Sequence, residues 1–423
     1  MTEKRWKWAA AGIAIVGFLA GTAWHPITMP AVWSSRPRGD VPLPANAAMA
    51  ADRAFRHCDG LGPLERRECY EKLLVPVAEA RGPKDALAIL TQLATMDKDV
   101  RSDAHDYAHA IGVAAFRAHK DVARIFPDCG VEFQSGCYHG VIQAFFMDRG
   151  AADSTTVRAV CSPWTTPSVY GWLRFQCTHG LGHGLTMLLD HDLPDALTKC
   201  DLLRDDWDRD ACYGGAFMEN VIDATQPKHQ MGMSDEHVMH DARKPKFKQM
   251  DRSNPAYPCT VLAEKYLTTC WTNQASIIEV ISDYDIAKVG EGCDRAPERY
   301  VRWCYTGLGT DLNGQSLSDP ERGLEMCDRT GTKHREWCYV GLAKNLIEVT
   351  AKPSDGIALC KLVTRDAWKI RCYEAIGEEI ASVTDERAER TKLCTDVESA
   401  FVRACEFGAR LTPTRPPGLA AVD

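Results

Sequence analysis

After its first 24 residues the chain has no further run of about 18 uncharged apolar residues, which excludes a polytopic membrane protein. It has no long block of Lys or Arg, and its net charge is −8. Clustered cations that could displace counterions from a phosphate backbone are therefore missing, and a nucleic-acid partner is set aside. No C-x-x-C occurs, which removes zinc ribbons, thioredoxin-type redox motifs and c-type haem attachment together. There is no G-x-S-x-G elbow, no P-loop and no G-x-G-x-x-G, since Gly307 and Gly309 are followed by Leu312 where a third glycine would stand. Nor is any cysteine left over, because all 18 fall into pairs when read in order.

What is present begins at the N-terminus, where Lys4, Arg5 and Lys7 precede an uncharged apolar run from Trp8 to Trp24. Basic residues before such a run are an export signal that keeps the basic end inside and sends the remaining chain out of the cytoplasm. Gly21 and Ala23 supply the small residues a signal peptidase needs, while Trp24 and the prolines at 26, 30, 37, 42 and 44 suit an uncleaved anchor and tether. The expected place is thus the cytoplasmic membrane, with the body in the periplasm or outside, or secretion after cleavage.

The cysteines pair locally as Cys58/Cys69, Cys129/Cys137, Cys161/Cys177, Cys200/Cys212, Cys259/Cys270, Cys293/Cys304, Cys327/Cys338, Cys360/Cys372 and Cys394/Cys405. From position 259 the first members recur every 33 to 34 residues, the length of a helix-turn-helix repeat. The second members open a shared phrase: CYHGVIQ, CTHGLGHG, CYGGAFMEN, CYTGLGTDL, CYVGLAKNL and CYEAIGEEI. Its apolar and small positions define one helix stripe. In SDPERGLEMC, Ser318 or Asp319 can cap a helix that has Pro320 at its first position. The expectation is an all-α solenoid of hairpins, each with a short helix A and a longer helix B joined by one disulfide. Repetition of one local pair favours nearest-neighbour connectivity. The chain divides into 1–24 (signal or anchor), 25–50 (Pro-rich linker), 51–221 (His-rich repeats), 222–258 (polar loop), 259–410 (C-terminal repeats) and 411–423 (tail).

In period and cysteine placement the chain resembles tetratricopeptide-like helical repeats, particularly the cysteine-rich exported kind whose hairpins are each pinned by a disulfide. The resemblance covers about residues 50 to 410 and departs from the tetratricopeptide consensus at its Trp and Pro positions. It implies a scaffold with a concave surface for an envelope protein or peptide, and it brings no activity with it. The motifs CTHGLGHG and FMEN also resemble those of exported bacterial proteins.

The histidines are concentrated in the N-terminal repeats. His105 and His109 are four apart, as are His179 and His183, so each pair projects from one helix face. His139 and His179 both stand two places after a repeat cysteine, and aligning DYAHAIG with GCYHGVI puts His109 there too. The C-terminal repeats carry Thr306, Val340 and Glu374 at that position, so the fold alone does not demand histidine. Imidazoles at i and i+4 on neighbouring helices can chelate copper, zinc or iron, with Glu219 as a further carboxylate ligand or general base. Gly140, Gly180, Gly182 and Gly184 would lower the bulk beside them. The plain alternative is that these histidines pack and hydrogen-bond to backbone carbonyls.

The insertion before Cys259 holds His229, Met231, Met233, His237, Met239 and His240, a thioether and imidazole mixture suited to copper, or a lid over the histidines. His105-Asp106 resembles the dipeptide of histidine-aspartate phosphohydrolases, but the remaining order is unlike theirs. Three functions follow: a repeat protein with a histidine-built metal or catalytic centre, a metal-free interaction scaffold, or a metal-independent hydrolase or lyase in which His179 and Glu219 serve as acid and base.

Overall fold

The computed structural model describes residues 41–419 apart from 131, 165–170, 226–245, 351 and 385. The N-terminal apolar run and the Met/His loop, with His229, Met231, Met233, His237, Met239 and His240, lie outside the described residues. Among the described residues there is no strand, and no helix is long and apolar enough to cross a membrane.

The chain opens with α1 (Ala47–Cys58), α2 (Pro63–Arg81), α3 (Pro83–Met96), α4 (Lys98–Ser102) and α5 (Ala104–His119). Next come α6 (Val122–Ile125), α7 (Gly136–Arg149), α8 (Ser154–Ala159), α9 (Trp172–Leu188), α10 (Leu193–Cys200) and α11 (Asp206–Thr225). Beyond the insertion lie α12 (Leu267–Ile281), α13 (Ile286–Cys293), α14 (Glu298–Gln315), α15 (Pro320–Asp328) and α16 (Arg335–Thr350). The last are α17 (Pro353–Leu362), α18 (Asp366–Val383), α19 (Arg387–Thr395) and α20 (Val402–Gly408). The longer helices α5, α7, α9, α11, α12, α14, α16, α18 and α20 pack each against the next and form one continuous row. The short helices pack against neighbouring members of that row, as in an α-solenoid.

Nine disulfides tie the hairpins: Cys58–Cys69, Cys129–Cys137, Cys161–Cys177, Cys200–Cys212, Cys259–Cys270, Cys293–Cys304, Cys327–Cys338, Cys360–Cys372 and Cys394–Cys405. No free cysteine remains. Loops of this size contribute roughly 2–3 kcal/mol each in the chain-entropy model, without simple additivity. Such a set belongs in an oxidising compartment.

Three of the units are punctuated in one way. Asp192, Asp285 and Asp319 accept a backbone N–H at the start of a short helix. Asp319, not Ser318, is the cap, and Pro320 sits at the first position. Before each cap come two left-handed residues, Asp190/His191, Asp283/Tyr284 and Leu317/Ser318. The second N–H of each pair donates five residues back, to Thr186, Glu279 and Asn313 respectively. That geometry reverses the chain between units.

Glycine sets the spacing of the row. A Cβ at Gly215 would overlap the carbonyl oxygen of His179, and one at Gly341 that of Thr306. In both cases the third residue after one cysteine abuts the second residue after the preceding one, so successive helices touch backbone to backbone.

A polar seam follows from that register. The sixth residue after a cysteine meets the seventh after the next: His183 with Glu219 at 2.9 Å, Ser276 with Asp311 at 2.6 Å, and Lys344 with Glu379 at 3.3 Å. Within this seam, burial first and the Asp311 carboxylate second push the Glu279 carboxyl up, while hydrogen bonds from Gln315 at 2.9 and 3.0 Å oppose the shift. The folded chain therefore holds a proton that the unfolded chain gives up near 4.5. Stability from this group is full below that value and is lost as pH rises through the raised folded value. Glu279→Gln should match wild type near pH 5 and exceed it by about 1–2 kcal/mol at pH 8.5 in urea denaturation. Parallel curves across that range would assign the proton elsewhere.

Candidate metal centre

Four consecutive long helices, α5, α7, α9 and α11, bring the histidines together. On α5, His105 is half-buried and its Nδ1 donates to the Phe133 carbonyl at 2.9 Å, since a carbonyl can only accept. His109, one turn on, is buried. His139 lies in the first turn of α7, only 5% exposed, and its Nδ1 has no hydrogen-bond partner. On α9, His179 and His183 face the same way, with their Nε2 atoms 3.3 Å apart.

The rings are close to one another. His139 stacks on His183 at 4.4 Å between centroids and lies 5.6 Å from His179. His105 meets His139 edge to face at 5.6 Å. One ring nitrogen from each of His139, His179 and His183 lies within 4.8 Å of the other two, and all three residues are buried. His105 and His109 are outside this group of three. Both still lie near enough to His139 to disfavour its protonation.

α11 supplies the partner that fixes the His183 tautomer. Glu219, 5% exposed, accepts from His183 Nδ1 at 2.9 Å. The Nδ1 proton of His183 is thus committed, and its Nε2 lone pair faces His179 Nε2. Proximity to the Ala211 backbone favours the protonated form of the His179 ring. Burial first, then His183, His179, His105 and His109, hold His139 well below 6.5. Burial and then His183 bring His179 down to about 3, against the Ala211 backbone. His139 and His179 are thereby held neutral and keep a lone pair each.

The 3.3 Å separation lets His179 Nε2 donate to His183 Nε2, and it also fits two ligands of one ion. A tetrahedral ion with nitrogen ligands at about 2.0–2.1 Å sets them roughly 3.3–3.4 Å apart. Glu219 touches the far nitrogen of His183, so it stands in the orienting place of a carboxylate–histidine–metal arrangement.

Several contributors lie outside the residues that the sequence singles out. Phe175 stacks on His179 at 5.4 Å, and the i, i+4 spacing could have pointed to it. The glycines beside the rings are Gly214 and Gly215, next to His179 and His183. Gly140, Gly180, Gly182 and Gly184, expected to let helices or a ligand approach, do the first. A Cβ at Gly140 or Gly182 would meet the carbonyl of His109 or Cys212, and one at Gly180 or Gly184 would meet Ile142 or Phe146. Those four serve helix packing. The chain matches no protein-family model, no curated protein and no solved structure.

Proposed function

We propose that this chain is an extracytoplasmic metal-binding protein that holds one tetrahedral transition-metal ion through His139, His179 and His183. The observation that carries the reading is the buried group of three, one ring nitrogen from each within 4.8 Å of the other two and the His179 and His183 Nε2 atoms 3.3 Å apart. Neutral imidazoles without thiolate suit zinc, copper or iron, and the tetrahedral spacing favours zinc over square-planar copper. Three protein ligands leave a fourth position for water or a small ligand. The disulfides support an oxidising compartment, and the charged N-terminus followed by an apolar run supports export.

Elemental analysis of protein purified without chelator tests this reading. About one zinc per chain is expected, falling to background when all three histidines are replaced by Ala. A metal-free wild type, or a triple variant that keeps its metal, would overturn it.

A further inference from the structure

The other four clustered histidines all lie near His139, yet the five differ in burial. His109, His139, His179 and His183 are at most 9% exposed, whereas His105 is half-buried and reaches solvent. Its ring lies 5.6 Å from that of His139, which in turn contacts both other members of the trio. The rings therefore form an unbroken series from the surface to the buried ligands.

His105 is also held in a fixed orientation. Its Nδ1 is tied to the Phe133 carbonyl, and Phe133, Gln134 and Ser135 all have positive φ, at 58°, 54° and 64°. Three successive non-glycine residues in the left-handed region cost about 1–2 kcal/mol each. Strain of this kind persists where the surroundings over-determine it. Here it presents a carbonyl to one nitrogen of His105, so the ring's donor lone pair is on Nε2.

We infer that His105 is the entry ligand of the metal centre: it captures a divalent cation at the surface and passes it to His139, without belonging to the final coordination shell. This rests on the trio being a metal centre. A transfer ligand lowers the barrier in both directions, so its loss slows association and dissociation together and leaves the equilibrium constant in place. A member of the final shell behaves differently, because its loss speeds dissociation.

The test uses full-length protein stripped of metal by chelator and mixed with Co²⁺ in a stopped-flow instrument, following the visible absorption of the tetrahedral ion. His105→Ala should slow loading, and also release to excess chelator, by about tenfold or more, with affinity within about threefold of wild type. His105→Asn keeps a donor for Phe133 and should show the same defect, which separates lost transfer from a disturbed turn. His119→Ala, at the far end of α5, is the control. Unchanged loading in both His105 variants overturns the inference, as does faster release with weakened affinity. Wild type that binds no Co²⁺ and no Zn²⁺ fails earlier and overturns the metal reading itself.

Discussion

Replacing His183 by Ala is expected to weaken zinc binding by about a hundredfold or more, because one of three ligands is lost from a site of order 10 kcal/mol. The second loss in that variant is the hydrogen bond to Glu219, which is left buried. Glu219→Gln keeps an oxygen that can accept from Nδ1 and should cost only about tenfold, while Glu219→Ala removes the acceptor and should approach a hundredfold. Competition against a chelator of known affinity measures all three. The order His183→Ala, Glu219→Ala, Glu219→Gln is what the geometry requires. Equal effects for both Glu219 variants would show that charge alone matters, and wild-type affinity in His183→Ala would remove the trio as the site. Helix content and the disulfide map should be unchanged in each, since every cysteine pair is kept.

The largest effect on stability is expected from Gly215→Val. A Cβ there overlaps the His179 carbonyl, which is backbone and cannot swing aside. The row must open between α9 and α11, at a cost of about 3 kcal/mol or more. The same opening draws Glu219 from His183, so zinc affinity should fall with stability. Gly214→Ala is the matched control: its nearest contact is His179 Nδ1 at 3.4 Å. That is ordinary van der Waals distance, and Ala improves helix propensity by up to about 1 kcal/mol. Thermal unfolding of the two variants should therefore diverge. If Gly215→Val melts with wild type, the close approach of the two helices is not what spaces the row.

Much of this arrangement is legible in the sequence because it is periodic. Cysteines at fixed spacing imply hairpins, and the shared phrase after the second cysteine puts His139 and His179 at one register, where their rings are 5.6 Å apart. The i, i+4 rule gives the common face of His179 and His183. Other features leave no such trace. The seam between neighbouring helices is occupied by His183, Ser276 and Lys344 on one side, and chemically unlike residues do not announce an equivalent position. The turns between units use left-handed Asp190/His191 and Leu317/Ser318 without any glycine to mark them. Burial is also invisible in spacing: His105 and His109 form the same i, i+4 pair as His179 and His183, yet only the second pair enters the buried group of three.

The staples have one more consequence, for how the chain acquires its structure. The two cysteines of every pair are 8 to 16 residues apart, and no bond joins one hairpin to another. A chain threading out of a membrane pore delivers both members of a pair almost together, before the next pair has emerged. Eight cysteines released at once could combine in roughly a hundred ways. Delivered two at a time they meet their own partners first, so on the proposed export route oxidation would proceed from the N-terminal end with little to reshuffle.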